Sequence, residues 1–441
     1  MKPKQTGTSM YQALLGDTEL ARLMGEQHQI DQMIRIEGQL ALAQAEVGLI
    51  PRDAAEGINR ACLGMNLTPA DLAPGMAQDG IPVPALLSRL KQQLLDKHAD
   101  WIHYGATSQD IVDTATVLCL QEALEIFEQR LDSIIGRLAT LVENNRNVLV
   151  AGRTRSQQGA PINLGLKITQ WLKPLLHQRA QLAHLKPELL RLQLAGAVGN
   201  LSAMGEQAED VIQTLASRLN LTYRGGWHTQ RGPLMELGSW LSITTTSLGK
   251  MARDWTRMAQ TEVGEIRFAD GGGSSTLPHK SNPVKAEIIQ SLAMQTTGLS
   301  GQLLYTNLSE HERDGVAWSQ EWLILPPLVE AAGAALKRTE EALNALELDH
   351  ARMQQNLWQT GGLLFSEALT FALGRQTSRE QAKTLVKQAV QDTLADREAQ
   401  QTLVDRVNQA AGTRFVVADL EAALLHAGTT DNEIERTLNS L

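Results

Sequence analysis

The residues best suited to chemistry gather at Gly271–Pro283, where the 441-residue chain reads Gly-Gly-Gly-Ser-Ser-Thr-Leu-Pro-His-Lys-Ser-Asn-Pro. Consecutive glycines let the backbone approach a ligand closely. Pro278 and Pro283 exclude a regular helix interior, so the spacing predicts a loop set between helical segments. Ser274, Ser275, His279, Lys280 and Asn282 offer hydroxyl, imidazole, ammonium and amide donors, which suit an anionic ligand better than a core. A nucleotide-binding P-loop is excluded, because His279 stands where a glycine must precede the lysine. A second polar block, His103-Tyr104-Gly105-Ala106-Thr107-Ser108-Gln109-Asp110, lies just before a long apolar periodicity. Ser108 or Asp110 can cap the helix that follows, and a helix N-terminus is itself an anion site. The two roles are compatible.

These stretches resemble, in order, the motifs of the fumarase/aspartase superfamily. The loop is similar to its Gly-Ser-Ser-x-Met-Pro-x-Lys-x-Asn-Pro signature, with Leu277 in place of Met. His103–Asp110 is similar to its His-x-Gly-x-Thr-Ser-x-Asp element, and Gly152-Arg153-Thr154 through Ala160-Pro161 to its second motif region. The resemblance implies removal or addition of a proton at a carbon beside a carboxylate, with a group leaving or arriving at the β-carbon. The difficult species is a dianionic aci-form, which calls for a base, an acid and fixed positive charge. Ser275 matches the family's catalytic serine. Its hydroxyl is too weak an acid to ionise unaided, and backbone N–H groups with Lys280 can assist it. Asn282 is then a positioning donor, and His103, Thr107 and Ser108 bind substrate carboxylates.

The second motif region departs from the family. Lyases of the superfamily carry a histidine directly after Gly-Arg-Thr; here it is Arg155. Cycloisomerases place a histidine three positions later; here it is Gln158. Glu287 matches the acid that partners the lyase histidine, so an Arg155–Glu287 ion pair is one expected replacement and a substrate carboxylate on Arg155 the other. Arginine keeps its proton, which makes Arg155 a binding group and a poor acid. Ser281 stands where arginine is usual.

Three segments are similar to the 3-carboxy-cis,cis-muconate cycloisomerase branch. They are Trp227-His228-Thr229-Gln230-Arg231, Ile81–Leu86 and Glu321–Pro326. The resemblance places His228, Arg231, Arg155 and Gln158 among substrate-binding residues, although Arg231 can equally cap a neighbouring helix. It implies intramolecular addition of a carboxylate to a double bond in the catabolism of aromatic compounds, without metal or organic cofactor. An adenylosuccinate lyase-like C–N lyase and a catalytically silent helical scaffold are the competing readings.

The elements that must position these residues are helical. Leu120, Leu124, Phe127, Leu131, Ile134, Leu138 and Leu141 step by three and four, as a helix burying a narrow seam does. Similar patterns recur in Leu234–Ala259, Lys285–Leu304 and Leu328–Leu346, and no alternating strand pattern of comparable length is present. An all-α fold with a long-helix bundle follows. Three helical domains are expected, at about 1–102, 103–345 and 346–441, and the resemblance adds a homotetramer whose subunits share active sites. The net charge of −9 excludes a phosphate-neutralising nucleic-acid binder, and 43% hydrophobic content is that of an ordinary globular chain. Two cysteines are too few for a disulfide framework. With no apolar run long enough for a signal peptide or membrane span, a cytoplasmic protein acting on a small polycarboxylate is expected.

Overall fold

The computed structural model describes residues 9–273, 276–396 and 401–441. It is all-α apart from two small antiparallel sheets of two strands each, β1 (Leu149–Thr154) with β2 (Gln157–Asn163) and β3 (Ile266–Phe268) with β4 (Leu346–Leu348). Besides the 21-residue helix Glu26–Glu46, five long helices span Ser108–Asn144, Leu164–Leu189, Gly232–Met258, Val284–Leu303 and Gly315–Ala345 among the described residues. The 37 residues of the first would reach about 55 Å at the usual rise. Its anticipated seam is real: Leu120, Leu124, Phe127, Leu131, Ile134 and Leu138 are each no more than 1% exposed. The Gly315–Ala345 helix begins well before the anticipated periodicity and runs through Pro326 and Pro327. Each proline removes one backbone N–H from the ladder. Burial of Ile324, Leu325, Leu328 and Val329 on either side holds the helix together there.

The chain divides into two compact units, and each of the five long helices contributes residues to both. The first comprises Met1–Arg130, Gln178–Thr246 and Ser291–Lys337. In it the Glu26–Glu46 helix packs along the Arg52–Gly64 helix, and Phe127 meets Trp240 edge-on at 5.8 Å. The second comprises Leu131–His177, Ser247–Gln290 and Arg338–Leu441. Trp171, Trp255 and Phe268 stack edge-to-face within it. Its C-terminal part has a separate small core of Phe365, Leu369, Leu373, Val386, Leu403 and Val407. The Arg379–Ala395 helix is opened by a capping box between Ser378 and Gln381.

The β1–β2 hairpin was not anticipated from the sequence, and it carries the whole second motif region. Leu149, Val150 and Ala151 are all buried, so β1 begins as an apolar run without the alternation that marks a half-exposed strand. The register slips between Ala151 and Arg153. Gly152 sits at that slip, where a Cβ would stand 2.5 Å from the Ala160 carbonyl oxygen. The turn residues Arg155 and Ser156 both have positive φ, 52° and 65°. Such two-residue turns favour Asn-Gly, so the sequence lacks the usual turn signal.

Candidate active site

In the first unit, residues 103–107 form the loop that leads into the Ser108–Asn144 helix. Asp110, in the first turn, organises it. Its Oδ2 accepts from the Thr107 N–H at 3.0 Å and the Gly196 N–H at 2.9 Å. Its Oδ1 accepts from the Ala195 N–H at 3.0 Å and the Gln193 amide at 3.1 Å, and lies 2.8 Å from His228 Nε2. A carboxylate at the third helical position reaching back to the residue before the helix is half of a capping box. The capping role therefore falls to Asp110, and the Thr107 and Ser108 side chains have no hydrogen-bond partner among the described residues. Gly105 has φ 71°, and a Cβ there would lie 2.7 Å from Met204 Cγ.

His103 also has positive φ, 59°. Its Nδ1 lies 2.7 Å from Oε1 of Glu37, whose side chain is fully buried. Burial opposes the charged imidazole, but the Glu37 charge and hydrogen bond, with Asp110 nearby, outweigh it and hold His103 above the ordinary histidine value.

His228 and Arg231, expected to meet substrate, are turned inward. His228 is buried on Asp110. Arg231 is 3% exposed. It donates to both oxygens of Asp113, at 2.6 and 3.2 Å, and through Nε to Glu321 at 2.8 Å. A further bond from Nη2 reaches the other Glu321 oxygen. The Trp227 ring lies 4.6 Å from the guanidinium, and the Trp318 indole donates to Asp113 at 2.9 Å. Burial works against the Arg231 charge, yet the two carboxylates more than compensate and raise its pKa. Glu321 is lifted above the usual carboxylate range by burial, because one guanidinium cannot balance two acids. These bonds engage Arg231 with the protein itself, and its place is structural.

In the second unit the Gly-Arg-Thr arginine is likewise committed. Arg153 grips the fully buried Glu265 through two bonds, at 2.9 and 2.6 Å, and Glu265 also accepts from Asn356 at 2.9 Å. Gln158 donates to the Asn356 carbonyl at 3.2 Å, so its amide holds the hairpin against the His350–Trp358 helix. Arg155 is different. It lies exposed at the hairpin tip, and Glu287 is exposed near the start of the Val284–Leu303 helix. The expected Arg155–Glu287 ion pair does not form within the chain, and neither side chain has another ion-pair partner among the described residues.

The described part of the signature segment, residues 271–273 and 276–283, lies outside helices between β3 and the Val284–Leu303 helix, and the backbones of Gly272 and Asn282 exchange hydrogen bonds of 2.9 and 2.8 Å. Lys280 is exposed, and among the described residues its ammonium has no hydrogen-bond or ion-pair partner. The nearby cation Lys285 is paired with Asp270. Ser275, with Ser274, lies outside the described residues. No group of three or more His, Cys, Asp or Glu among the described residues has the geometry to hold a metal ion.

Sequence reasoning offered Asp110 as a helix cap, which it is, and missed Glu37, Asp113 and Glu321 as the carboxylates that fix these groups. For those three, the partners lie 66 to 118 residues away in the chain.

Residues 18–298 match the family described as Lyase. A 3-carboxy-cis,cis-muconate cycloisomerase from Pseudomonas aeruginosa is 37% identical over 395 residues, covering 88% of this chain and 86% of that protein. Another, from Bradyrhizobium diazoefficiens, is 33% identical over 437 residues and covers 97% of each chain. The crystal structure of 3-carboxy-cis,cis-muconate lactonizing enzyme from Pseudomonas putida superposes with a TM-score of 0.90 at 31% identity, covering 98% of both chains.

Proposed function

Because the chain belongs to the lyase family of the fumarase/aspartase superfamily, we propose that it is a cycloisomerase acting on 3-carboxy-cis,cis-muconate or a closely related polycarboxylate in the degradation of aromatic compounds. One substrate carboxylate attacks the conjugated double bond within the same molecule and a C–O bond forms. The displaced π electrons move to the α-carbon and into its carboxylate, and the α-carbon then takes a proton to give the lactone. One proton is taken up overall, as one carboxylate becomes the ester group of the lactone and the charge falls by one. Ser275 would deliver that proton, the reverse of abstraction in the elimination direction. Lys280 would balance the dianion, Asn282 would position it, and Glu287 stands close by in sequence. His103, Thr107 and Ser108 would hold a second carboxylate, with Arg155 available for another through two parallel bonds.

The observation that carries this reading is Lys280, an exposed cation of the signature segment with no ion-pair partner among the described residues. The replaced histidines support it. A carboxylate leaves as a weak base, with a conjugate acid near pKa ~4, and so needs no proton from the enzyme. A departing amine does need one, and Arg155 cannot supply it. The amine-eliminating alternative therefore fits less well. Purified protein should bleach the diene absorbance of 3-carboxy-cis,cis-muconate and leave adenylosuccinate unchanged. The opposite pattern, or no reaction with the diene, would refute the assignment.

The family resemblance points to a homotetramer, and the exposed apolar residues Ile243, Met294 and Leu323 on three long helices suit a subunit interface. Two inactive variants, Ser275→Ala and a Thr107→Ala/Ser108→Ala double substitution, should regain activity when their subunits are mixed and exchanged. A wild type that is active as a monomer would exclude shared sites. Both cysteines are free and buried, and no helix among the described residues is long and apolar enough to cross a membrane; a reducing cytoplasm suits both.

A further inference from the structure

Glu37 lies within the Glu26–Glu46 helix, and its carboxylate is fully buried. A buried charge is costly unless it is paired. Its one hydrogen-bond partner among the described residues is His103, since Oε2 is buried without one. Seven residues on, and so on the same side of the helix, Gln44 donates to the Tyr104 carbonyl at 2.6 Å. One helix face thus grips both the ring and the backbone of the loop that enters the Thr107-Ser108 block. The left-handed backbone at His103 is a conformation that non-glycine residues adopt only when their surroundings hold them there. Here the bond to Glu37 is what it secures. With Nδ1 engaged, Nε2 has no partner among the described residues.

We propose that Glu37 is a positioning residue: it fixes the His103 ring as a cation whose Nε2–H is presented to a substrate carboxylate at the Thr107-Ser108 block. This rests on the reading of a polycarboxylate substrate. The charged and titratable groups around the pair are consistent with it. Asp110, on the Ser108–Asn144 helix, adds to the pull of Glu37, and Lys91 opposes it. Cys62, on the Arg52–Gly64 helix, is pushed up to about 12 by burial and by Glu37 and stays a neutral thiol.

The dyad is tested first without substrate. Hydrogen–deuterium exchange at the His103 Cε1–H, read by mass spectrometry on the whole protein, gives its titration. His103 should titrate above the ordinary histidine value in wild type and at lower pH in Glu37→Gln, where the amide accepts from Nδ1–H without charge. A wild-type titration at or below the ordinary value, or an unmoved one in the variant, overturns the proposal. With 3-carboxy-cis,cis-muconate as substrate, Glu37→Gln should raise KM about tenfold near neutral pH while kcat stays within about twofold. The alkaline limb of kcat/KM should move to lower pH, and Glu37→Asp should restore most of the loss. An activity loss equal at every pH would make Glu37 merely structural and sink the idea. If the wild type does not turn the substrate over, the functional reading fails, and the His103 titration alone decides the dyad. If Glu37→Gln fails to fold, the wild-type titration of His103, above the ordinary histidine value or not, decides the proposal.

Discussion

In one compact unit the guanidinium of Arg231 is buried between Asp113 and Glu321. In the other, the ammonium of Lys280 stands exposed in a glycine-rich loop, with no ion-pair partner among the described residues. Both cations sit in motifs of one family, and both were candidates to meet a carboxylate. A buried cation holding two carboxylates of its own protein is structural, since moving it toward substrate would strand two acids. A cation that the fold leaves unpaired has its charge available for a transition state. The same contrast separates Arg153, gripping Glu265, from Arg155 two residues later at the hairpin tip.

Substitutions can break that comparison. The largest effect expected is on turnover: Lys280→Ala should lower kcat by about 10²–10³-fold, with the denaturation midpoint unchanged because the side chain is exposed. A large stability loss with near-normal kcat would reverse its role. Arg231→Met should do the opposite, reducing unfolding free energy by about 3–5 kcal/mol in urea titrations. An equally stable variant with only a raised KM would make Arg231 a substrate ligand after all. Asp110→Asn should cost about 1–3 kcal/mol, because the amide cannot accept every bond that the carboxylate does. Arg155→Lys should leave stability unchanged and raise KM a few-fold, about 1 kcal/mol or less, through loss of the paired guanidinium bonds. Steady-state kinetics matching wild type would leave Arg155 a surface residue.

The smallest effect concerns pH. His103 is held above its unfolded value by Glu37. The stability it contributes is fully present below the unfolded histidine pKa and is lost as pH rises through the folded value. Chemical denaturation across that range should therefore show the stability gap between wild type and Glu37→Gln narrowing toward alkaline pH. A gap that widened would place the charge elsewhere.

The sequence alone determined the helical class, because the three-and-four spacing from Leu120 to Leu138 admits a buried helical seam and no strand. It also determined that Gly271–Pro283 is a loop, since two prolines and three glycines cannot continue a helix. The family followed from motif order. What the sequence could not decide was which polar groups the protein keeps for itself. Arg231 and Lys280 carry the same charge and are equally plausible ligands in one dimension. They differ only because the fold brings Asp113 and Glu321, 118 and 90 residues away in the chain, to the first. The hairpin was hidden for a related reason: its buried β1 shows no alternation, and its left-handed Arg155-Ser156 turn is sustained by the strands on either side. Such commitments depend on burial and on partners distant in the chain, and those exist only once the chain has folded.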